Sequence, residues 1–214
     1  MENKKKKVWK KILLVLLAMF IVFVIYVIRN FIIISNLEKV AKVYANKTNY
    51  IADIYSIQNN SSVNILRVYN KDNLYLSLME TKSNDIKDIR KLTIYKNNNE
   101  KLGIIQSGDQ KIAILNNWAV AEIQVVTFES ISDMNVLQKL LFTILAKIST
   151  EECNNKETFL IEMPYGWKIW VNKENGTVLR EINSGFITER NYEFDIVKDK
   201  DIIKPDISDC EIQK

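Results

Sequence analysis

The sequence predicts an α+β protein in which one N-terminal transmembrane helix precedes a large antiparallel β-sheet. Three observations support this class. A charge-free apolar run, Ile12–Ile28, follows a cluster of lysines at the N-terminus. Beyond residue 50, short segments rich in β-branched and aromatic residues alternate with turns of Asn, Ser, Asp and Gly, which is typical of hairpin-connected strands. Residues 133–148 instead repeat apolar side chains at helical spacing, so a helix interrupts the strands.

The apolar run is long enough to cross a bilayer. After Arg29 and Asn30 it continues with Phe31–Ile34. In a helix that rises ~1.5 Å per residue, Arg29 lies about 25 Å above the start of the run, where its guanidinium can reach the lipid headgroups. We therefore predict a transmembrane signal-anchor helix over residues 12–34.

Six lysines set the orientation of this anchor. Basic residues that flank a membrane-spanning helix stay on the cytoplasmic side. Residues 1–11 are therefore predicted to form a cytoplasmic tail, with Trp9 at the inner interface, and residues 35–214 an extracytoplasmic domain of a single-pass cell-membrane protein. The six residues are Lys4, Lys5, Lys6, Lys7, Lys10 and Lys11.

A cleaved signal peptide is the alternative, because it also combines basic residues with an apolar stretch. Its apolar region is usually about 7–15 residues long and ends at a small-x-small cleavage site. The run in this chain is longer, and Ser35-Asn36-Leu37 offers no such site. The sequence favours a retained anchor over a cleaved signal.

The net charge of +4 belongs to the N-terminal tail rather than to the exported domain. Without the six tail lysines, Glu2 and Arg29, acidic residues slightly outnumber basic ones. A nucleic-acid-binding face needs a surplus of basic residues, so the domain is not expected to bind nucleic acid. The abundance of Lys, Ile and Asn is typical of an AT-rich bacterial genome and indicates a protein of a bacterial cell envelope.

The sequence contains no histidine. Cys-His and Ser-His-Asp catalytic arrangements are therefore excluded, as is any imidazole ligand for zinc or haem. Cys153 and Cys210 both fall in the exported domain, where oxidation is possible. The sequence is compatible with a disulfide between them and with two separate thiols. Asp199, Asp201 and Asp206 alternate with lysines, which favours a solvated, ion-paired segment over a Ca²⁺ site. We predict no catalytic residue, no metal, no cofactor and no enzymatic activity.

Apolar residues at helical spacing continue beyond the membrane run over Leu37–Tyr44, so the anchor is expected to extend as a helix into the domain. Asn46–Asn49 end that helix. A series of strands then precedes the helix at residues 133–148, for which Ser130 and Asp133 offer an N-terminal cap. The predicted strands are Tyr50–Ile57, Val63–Tyr69, Leu74–Met79, Lys91–Tyr95, Leu102–Gln106, Lys111–Leu115 and Ala119–Phe128.

Strand patterning returns after the second helix. Asn175-Gly176 and Ser184-Gly185 mark tight turns between the late strands. Tyr192, Phe194 and Ile196 alternate with polar residues, the pattern of a half-buried strand. The predicted late strands are Thr158–Met163, Trp167–Val171, Val178–Ile182 and Arg190–Val197.

Three late segments resemble the outer-membrane lipoprotein carrier (LolA-like) superfamily. They are Trp170–Arg180, which contains the Asn-Gly turn of a hairpin, then Tyr192–Phe194, and Asp199–Asp206, in which Pro-Asp precedes a terminal strand. The resemblance implies an open, strongly curved sheet, a half-barrel, covered by helices. It also implies an apolar concavity suited to acyl chains or a hydrophobic peptide. Members of that family are soluble or lipid-anchored, whereas this chain is predicted to carry a protein anchor.

The predicted function is that of a membrane-anchored extracytoplasmic protein that binds a lipid, a lipoprotein or another hydrophobic ligand on the curved sheet. Aromatic and apolar residues at strand positions also form ordinary cores. The alternative is therefore a non-catalytic interaction or regulatory module of an envelope complex, bound to a protein partner and with a filled core. The predicted ligand-binding residues are Tyr69, Leu76, Trp167, Ile169, Tyr192 and Phe194.

Overall fold

The computed structural model describes residues 2–58, 62–83, 86–116, 122–131 and 134–213. Within these ranges a long N-terminal helix precedes one open, curved sheet of twelve strands, and two short helices lie between the sixth and seventh strands. The predicted α+β class, with an apolar N-terminal helix followed by a large curved sheet, is confirmed.

The helices are α1 (Glu2–Ala45), α2 (Phe128–Ile131) and α3 (Val136–Leu145). The first six strands are β1 (Asn49–Gln58), β2 (Ser62–Lys71), β3 (Leu74–Ser83), β4 (Ile86–Lys96), β5 (Lys101–Ser107) and β6 (Gln110–Leu115). The last six are β7 (Lys147–Cys153), β8 (Lys156–Glu162), β9 (Lys168–Asn172), β10 (Val178–Asn183), β11 (Phe186–Phe194) and β12 (Glu211–Gln213).

The sheet consists of two meanders joined side by side. Its order is β12-β6-β5-β4-β3-β2-β1-β11-β10-β9-β8-β7, so β1 and β11 connect the early strands to the late ones. All neighbouring strands pair antiparallel except β12, which runs parallel to β6 and makes the sheet mixed. Short hairpins between consecutive strands account for the antiparallel pairing.

Helix α1 belongs both to the N-terminal apolar run and to the core of the domain. It has no break at the predicted boundary between residues 34 and 35. Asn30, Ile34, Leu37 and Ala41 recur every three or four residues and are buried against the sheet. Before this stripe, no residue of the most apolar 18-residue window of α1 is buried.

Side chains of the sheet alternate between two faces. Helices α1, α2 and α3 pack against what we term the helix-covered face, which carries Ile161, Ile169 and Val171 beneath them. The C-terminal segment after β11 packs, through Val197 and Ile202, on part of the opposite face. We term that opposite face the open face.

The predicted strand at Ala119–Phe128 is wrong over its described part. Residues 117–121 lie outside the described residues, and residues 122–127 form an extended segment with a single bridge, Thr127 to Thr177, before α2 begins. Tyrosine hydroxyls of the sheet form hydrogen bonds with backbone N–H groups of this segment. In a strand, those N–H groups would pair with a neighbouring strand. Ile123 N–H donates to Tyr75 Oη at 3.1 Å, and Val126 N–H donates to Tyr192 Oη at 3.1 Å.

The predicted helix at residues 133–148 is too long at both ends of its described part, since Asp133 lies outside the described residues and α3 covers only Val136–Leu145. Its cap is Asn135, whose side chain accepts from Gln138 N while the Gln138 side chain accepts from Asn135 N. Its last residue is Leu145, and β7, which the sequence analysis missed, begins two residues later. Ile148 matches the helical spacing of the preceding leucines and also the period of a strand, so its position alone did not separate the two.

Three tyrosines hold the extended segment and make the domain sensitive to alkali: Tyr75, Tyr192 and Tyr50, whose hydroxyl donates to Ile123 O at 2.6 Å. Burial raises the pKa of Tyr50, Tyr75 and Tyr192 above the ordinary value of 10.0. Because the folded pKa exceeds the unfolded one, their contribution to stability is full below pH 10 and is lost as the pH rises through the folded pKa. We expect the free energy of unfolding to fall above pH 10, as measured by denaturant titration at increasing pH.

Two substitutions separate this effect from general alkaline unfolding. Tyr192→Phe removes one buried phenol and its bond to Val126, so it should cost about 1 kcal/mol at neutral pH and flatten the alkaline loss. Tyr165→Phe, at a fully exposed position, should leave the profile unchanged. Identical pH profiles for the two variants would contradict the explanation.

Candidate functional site

The six residues predicted to bind a ligand lie in three separate clusters on the two faces of the sheet. Tyr69 and Leu76 are on the open face, where Val197 and Ile202 of the C-terminal segment pack in the same cluster. Leu76 is buried, and the Tyr69 ring lies 5.9 Å from the guanidinium carbon of Arg67. The chain itself therefore packs over the first two predicted residues.

Trp167 and Ile169 lie beneath helices α1 and α3 on the helix-covered face. Ile169 is fully buried. The Trp167 ring packs edge-on against Phe142 of α3 at 6.4 Å, and its Nε1 donates to a Glu181 carboxylate oxygen at 3.3 Å. These contacts bury Ile169 fully and Trp167 partly beneath the chain's own helices.

Tyr192 and Phe194 occupy a third cluster, in which the two rings stack 6.1 Å apart. Phe194 also packs edge-on against Tyr44 of α1 at 4.9 Å. Tyr192 is buried and holds the extended segment through its hydroxyl. The structure thus does not bring the six residues together, and their assignment to a ligand stays a prediction.

The structure forms an open groove elsewhere on the sheet. It has a volume of about 730 Å³ and lies on the open face, between β1, β2, β3, β4 and β11, beyond the C-terminal segment. Asn154, from the turn between β7 and β8, reaches its border. Its volume is within the ~300–1,000 Å³ of typical small-molecule sites.

The floor of the groove is apolar and partly exposed. Tyr55 and Ile65 are opposite each other on β1 and β2, and Leu78 lies on β3. Each of the three is 38–42% exposed, more than an ordinary strand core allows. A contiguous apolar surface on an uncovered sheet face is typical of a site that takes up apolar ligand.

Charged side chains border this floor. Asp53 and Arg67 are register partners and form a bidentate ion pair, with Arg67 Nε 2.6 Å from Oδ1 and Nη2 2.8 Å from Oδ2. The hydrogen bonds to Asp53 raise the pKa of Arg67 and keep it cationic. Glu80 and Lys91, also register partners, lie on the far side. The groove therefore offers an apolar floor with charges of both signs at its rim.

Sequence reasoning missed this groove, although a signal was present. Three adjacent strands place one charged and one apolar residue on the same face, two positions apart: Asp53 and Tyr55, Ile65 and Arg67, and Leu78 and Glu80. The opposite faces of the same strands are also apolar, with Val68 and Ala52 buried. Strands that are apolar on both faces predict a second binding or packing surface.

No family model matches the chain, and no curated protein matches it. The resemblance to lipoprotein carriers therefore stays a prediction from the sequence.

The two cysteines are separate thiols. Cys153 is buried near Leu160 and Trp170, whereas Cys210 packs with the C-terminal segment. Burial is the main cause that raises the pKa of both thiols, so neither is an activated nucleophile.

The three late aspartates each bind a different partner. Asp199 pairs with Lys71 at 2.5 Å, Asp201 accepts from Lys198 N, and Asp206 accepts from Ser208. Among the described residues, no three His, Cys, Asp or Glu side chains come together as metal ligands.

Proposed function

We propose that this protein is a membrane-anchored extracytoplasmic binding protein whose open-face groove takes up the acyl chain of a lipid or lipoprotein. The observation that carries the proposal is the exposed apolar floor of Tyr55, Ile65 and Leu78 within the groove. Burying such a floor under an acyl chain releases about 25 cal/mol for each Å² removed from water. The protein then acts by binding, without a reaction.

The long helix supports the anchor in this proposal. Trp9–Ala45 is long and apolar enough to cross a membrane. Asn30 and Ile34, which a cleaved signal would remove, are fully buried in the domain core. The lysines before the span support a cytoplasmic N-terminus and a sheet on the outer side.

The rim charges support an amphipathic ligand over a purely apolar one. Arg67 and Lys91 lie beside the apolar floor, where a phosphate or carboxylate head can reach them. Guanidinium and ammonium groups both form charge-assisted hydrogen bonds with such anions. Because the anchor holds the groove beside a bilayer, lipids are the most abundant nearby molecules that combine an apolar chain with an anionic head.

Leu78→Asp tests the site, because it places a charge on the apolar floor. We expect the Kd for phosphatidylglycerol with a pyrene-labelled acyl chain to rise at least ~10-fold, since ~1.4 kcal/mol or more of burial is lost. The measurement is energy transfer from protein tryptophans to pyrene, with the full-length protein in detergent micelles.

Ile105→Asp is the matched control. Ile105 is 42% exposed, as is Leu78, but it points to the other face of the sheet. Its Kd should stay within about twofold of the wild type, a difference of ~0.4 kcal/mol. Equal weakening by both substitutions, or none by either, would refute lipid binding in the groove.

A specific observation also favours the second candidate, an interaction module of an envelope complex. Leu76, Ile169 and Tyr192 are all buried by the chain's own elements, as a domain with a filled core requires. In that case the groove binds a protein partner, and no energy transfer from tryptophan to the pyrene lipid is observed with the wild type or with either variant.

A further inference from the structure

Helix α3 carries a stripe of exposed leucines that the fold leaves uncovered. Leu137, Leu141 and Leu145 follow one another every four residues and are 52–67% exposed, with Leu140 beside them. The opposite side of α3 is buried through Phe142 and Thr143. A surface helix in water normally has polar residues on the side away from the core. Helix α3 is apolar on that side too, so its outer side does not fit contact with water.

Polar contacts fix the position of α3 along α1. Asn30 Nδ2 donates to the carbonyl oxygens of Thr143 at 3.2 Å and of Ala146 at 2.9 Å. Tyr26 Oη donates to the same Ala146 oxygen. The C-terminal end of α3 is therefore at the level of residues 26–30 of α1.

The exposed side chains of α1 locate the membrane surface. Outward residues are apolar up to Phe31 and Ile32, apart from Arg29, and the first polar ones beyond are Asn36 and Lys39. Twenty residues of helix from Ile12 span about 30 Å, the thickness of the hydrocarbon core. The end of α3 thus lies at the outer edge of the hydrocarbon.

The hydrogen bonds at this level have the pattern expected where water is scarce. The final carbonyls of a helix lack partners within it, and an unpaired carbonyl in hydrocarbon costs several kcal/mol. Asn30 and Tyr26 supply donors to those carbonyls, and Arg29 Nη1 donates to Ile148 O at 3.3 Å. Polar residues of the apolar run therefore bind the domain rather than water.

Charges around α3 match an anionic lipid surface. The one charged residue of α3, Lys139, turns away from the leucine stripe to pair with Glu38 and lies 5.2 Å from the Phe31 ring centroid. Lys147, at the start of β7, is 77% exposed in its side chain and shares Glu162 with Lys168, so the ion pairs around α3 contain one more lysine than glutamate. Lysines beside an apolar helix face favour binding to anionic headgroups.

We propose that α3 lies in the outer leaflet of the bilayer, with its leucine stripe in the lipid, as a second membrane contact beside the anchor. The proposal rests on the membrane anchor in the function proposed above. Two contacts fix how the domain is oriented on the membrane, whereas a single helix would let it rotate. The groove then keeps a constant height and direction above the lipid surface.

Nitroxide accessibility tests the proposal in the full-length protein. The variants Leu141→Cys, Val43→Cys and Phe20→Cys are made in a Cys153→Ala, Cys210→Ser background, spin-labelled and placed in vesicles of phosphatidylglycerol and phosphatidylethanolamine. Val43, 63% exposed on α1 beyond the span, is the water control, and Phe20, 62% exposed within it, is the lipid control. Near-ultraviolet circular dichroism verifies that each variant is folded.

The expected result is that the label at Leu141 resembles that at Phe20, with high oxygen and low nickel-chelate accessibility, while the label at Val43 shows the reverse. If Leu141 behaves as Val43 does while Phe20 reports lipid, the α3 proposal is overturned and the anchor stands. If Phe20 also reports water, the anchor itself is wrong. Dipolar broadening between copies at Leu141 would overturn the proposal in favour of a second copy of the chain.

Discussion

Replacing Gly176 with alanine is expected to destabilise the domain by about 2–5 kcal/mol. Gly176 has φ +69°, and a Cβ there would lie 2.8 Å from Ala41 Cα and 2.9 Å from Ala41 N of α1. The left-handed backbone costs an L-residue roughly 1–2 kcal/mol, and forced overpacking roughly 1–3 kcal/mol. Since the obstacle is helix backbone, the turn between β9 and β10 must move away from α1.

Gly108→Ala is the matched control for this substitution. Gly108 also has a positive φ, +56°, but a Cβ there meets nothing within 4 Å. It should lose only the backbone contribution of roughly 1–2 kcal/mol. Both values are measured by guanidinium unfolding of the full-length protein in detergent micelles, followed by tryptophan fluorescence. Similar losses for the two variants would show that α1 does not press on the turn.

A chain that begins at Asn36 should be less stable than one that begins at Phe23 by roughly 3.5–9 kcal/mol. The shorter chain lacks Ile34, whose full burial contributes about 1.5–3 kcal/mol. It also lacks Asn30, so carbonyl groups of Thr143 and Ala146 lose donors at about 1–3 kcal/mol for each buried group left unpaired. The loss is a large part of the ~5–15 kcal/mol that typical domains possess.

The longer chain keeps every contact of α1 with the domain and removes only the first part of the membrane run. Denaturant unfolding of both chains in the same detergent gives the difference directly. Equal stability would mean that α1 before Asn36 serves the membrane alone and that its burial in the core adds nothing. The expected difference would instead make residues 26–35 part of both the anchor and the domain.

The sequence predicts the first helix and most strands because the signals for them are local. The charge-free run from Ile12 determines the apolar helix, and strong turns such as Ser184-Gly185 separate the strands. The predicted continuation over Leu37–Tyr44 is confirmed, because α1 runs without interruption to Ala45. In these places local pattern and tertiary packing require the same structure.

The errors arise where distant residues decide. Residues 122–127 have the composition of a strand. However, the backbone N–H groups of Ile123 and Val126 donate to tyrosine hydroxyls from β3 and β11 instead of to a neighbouring strand. The composition of a segment does not show whether its backbone groups will pair with a neighbouring strand or with a side chain from another part of the chain. The predicted helix over residues 133–148 runs across the start of β7 because Ile148 fits the spacing of a helix as well as that of a strand.

The candidate site was the least predictable feature. Alternation identifies which residues share a face, yet it does not tell which parts of that face another segment covers. The C-terminal segment covers Leu76 but not Leu78, and the extended segment covers Tyr192. Curvature of the sheet and the path of these two segments leave Tyr55 and Ile65 exposed, and neither feature is written in the local sequence.

The most direct test of the account is native mass spectrometry of the full-length protein, released from bacterial membranes in mild detergent. We predict that the wild type and Ile105→Asp each carry the added mass of one acyl-chain-containing lipid, and that Leu78→Asp carries none. Wild-type protein that is folded and carries no lipid, even after incubation with phosphatidylglycerol, would contradict the proposed acyl-binding function.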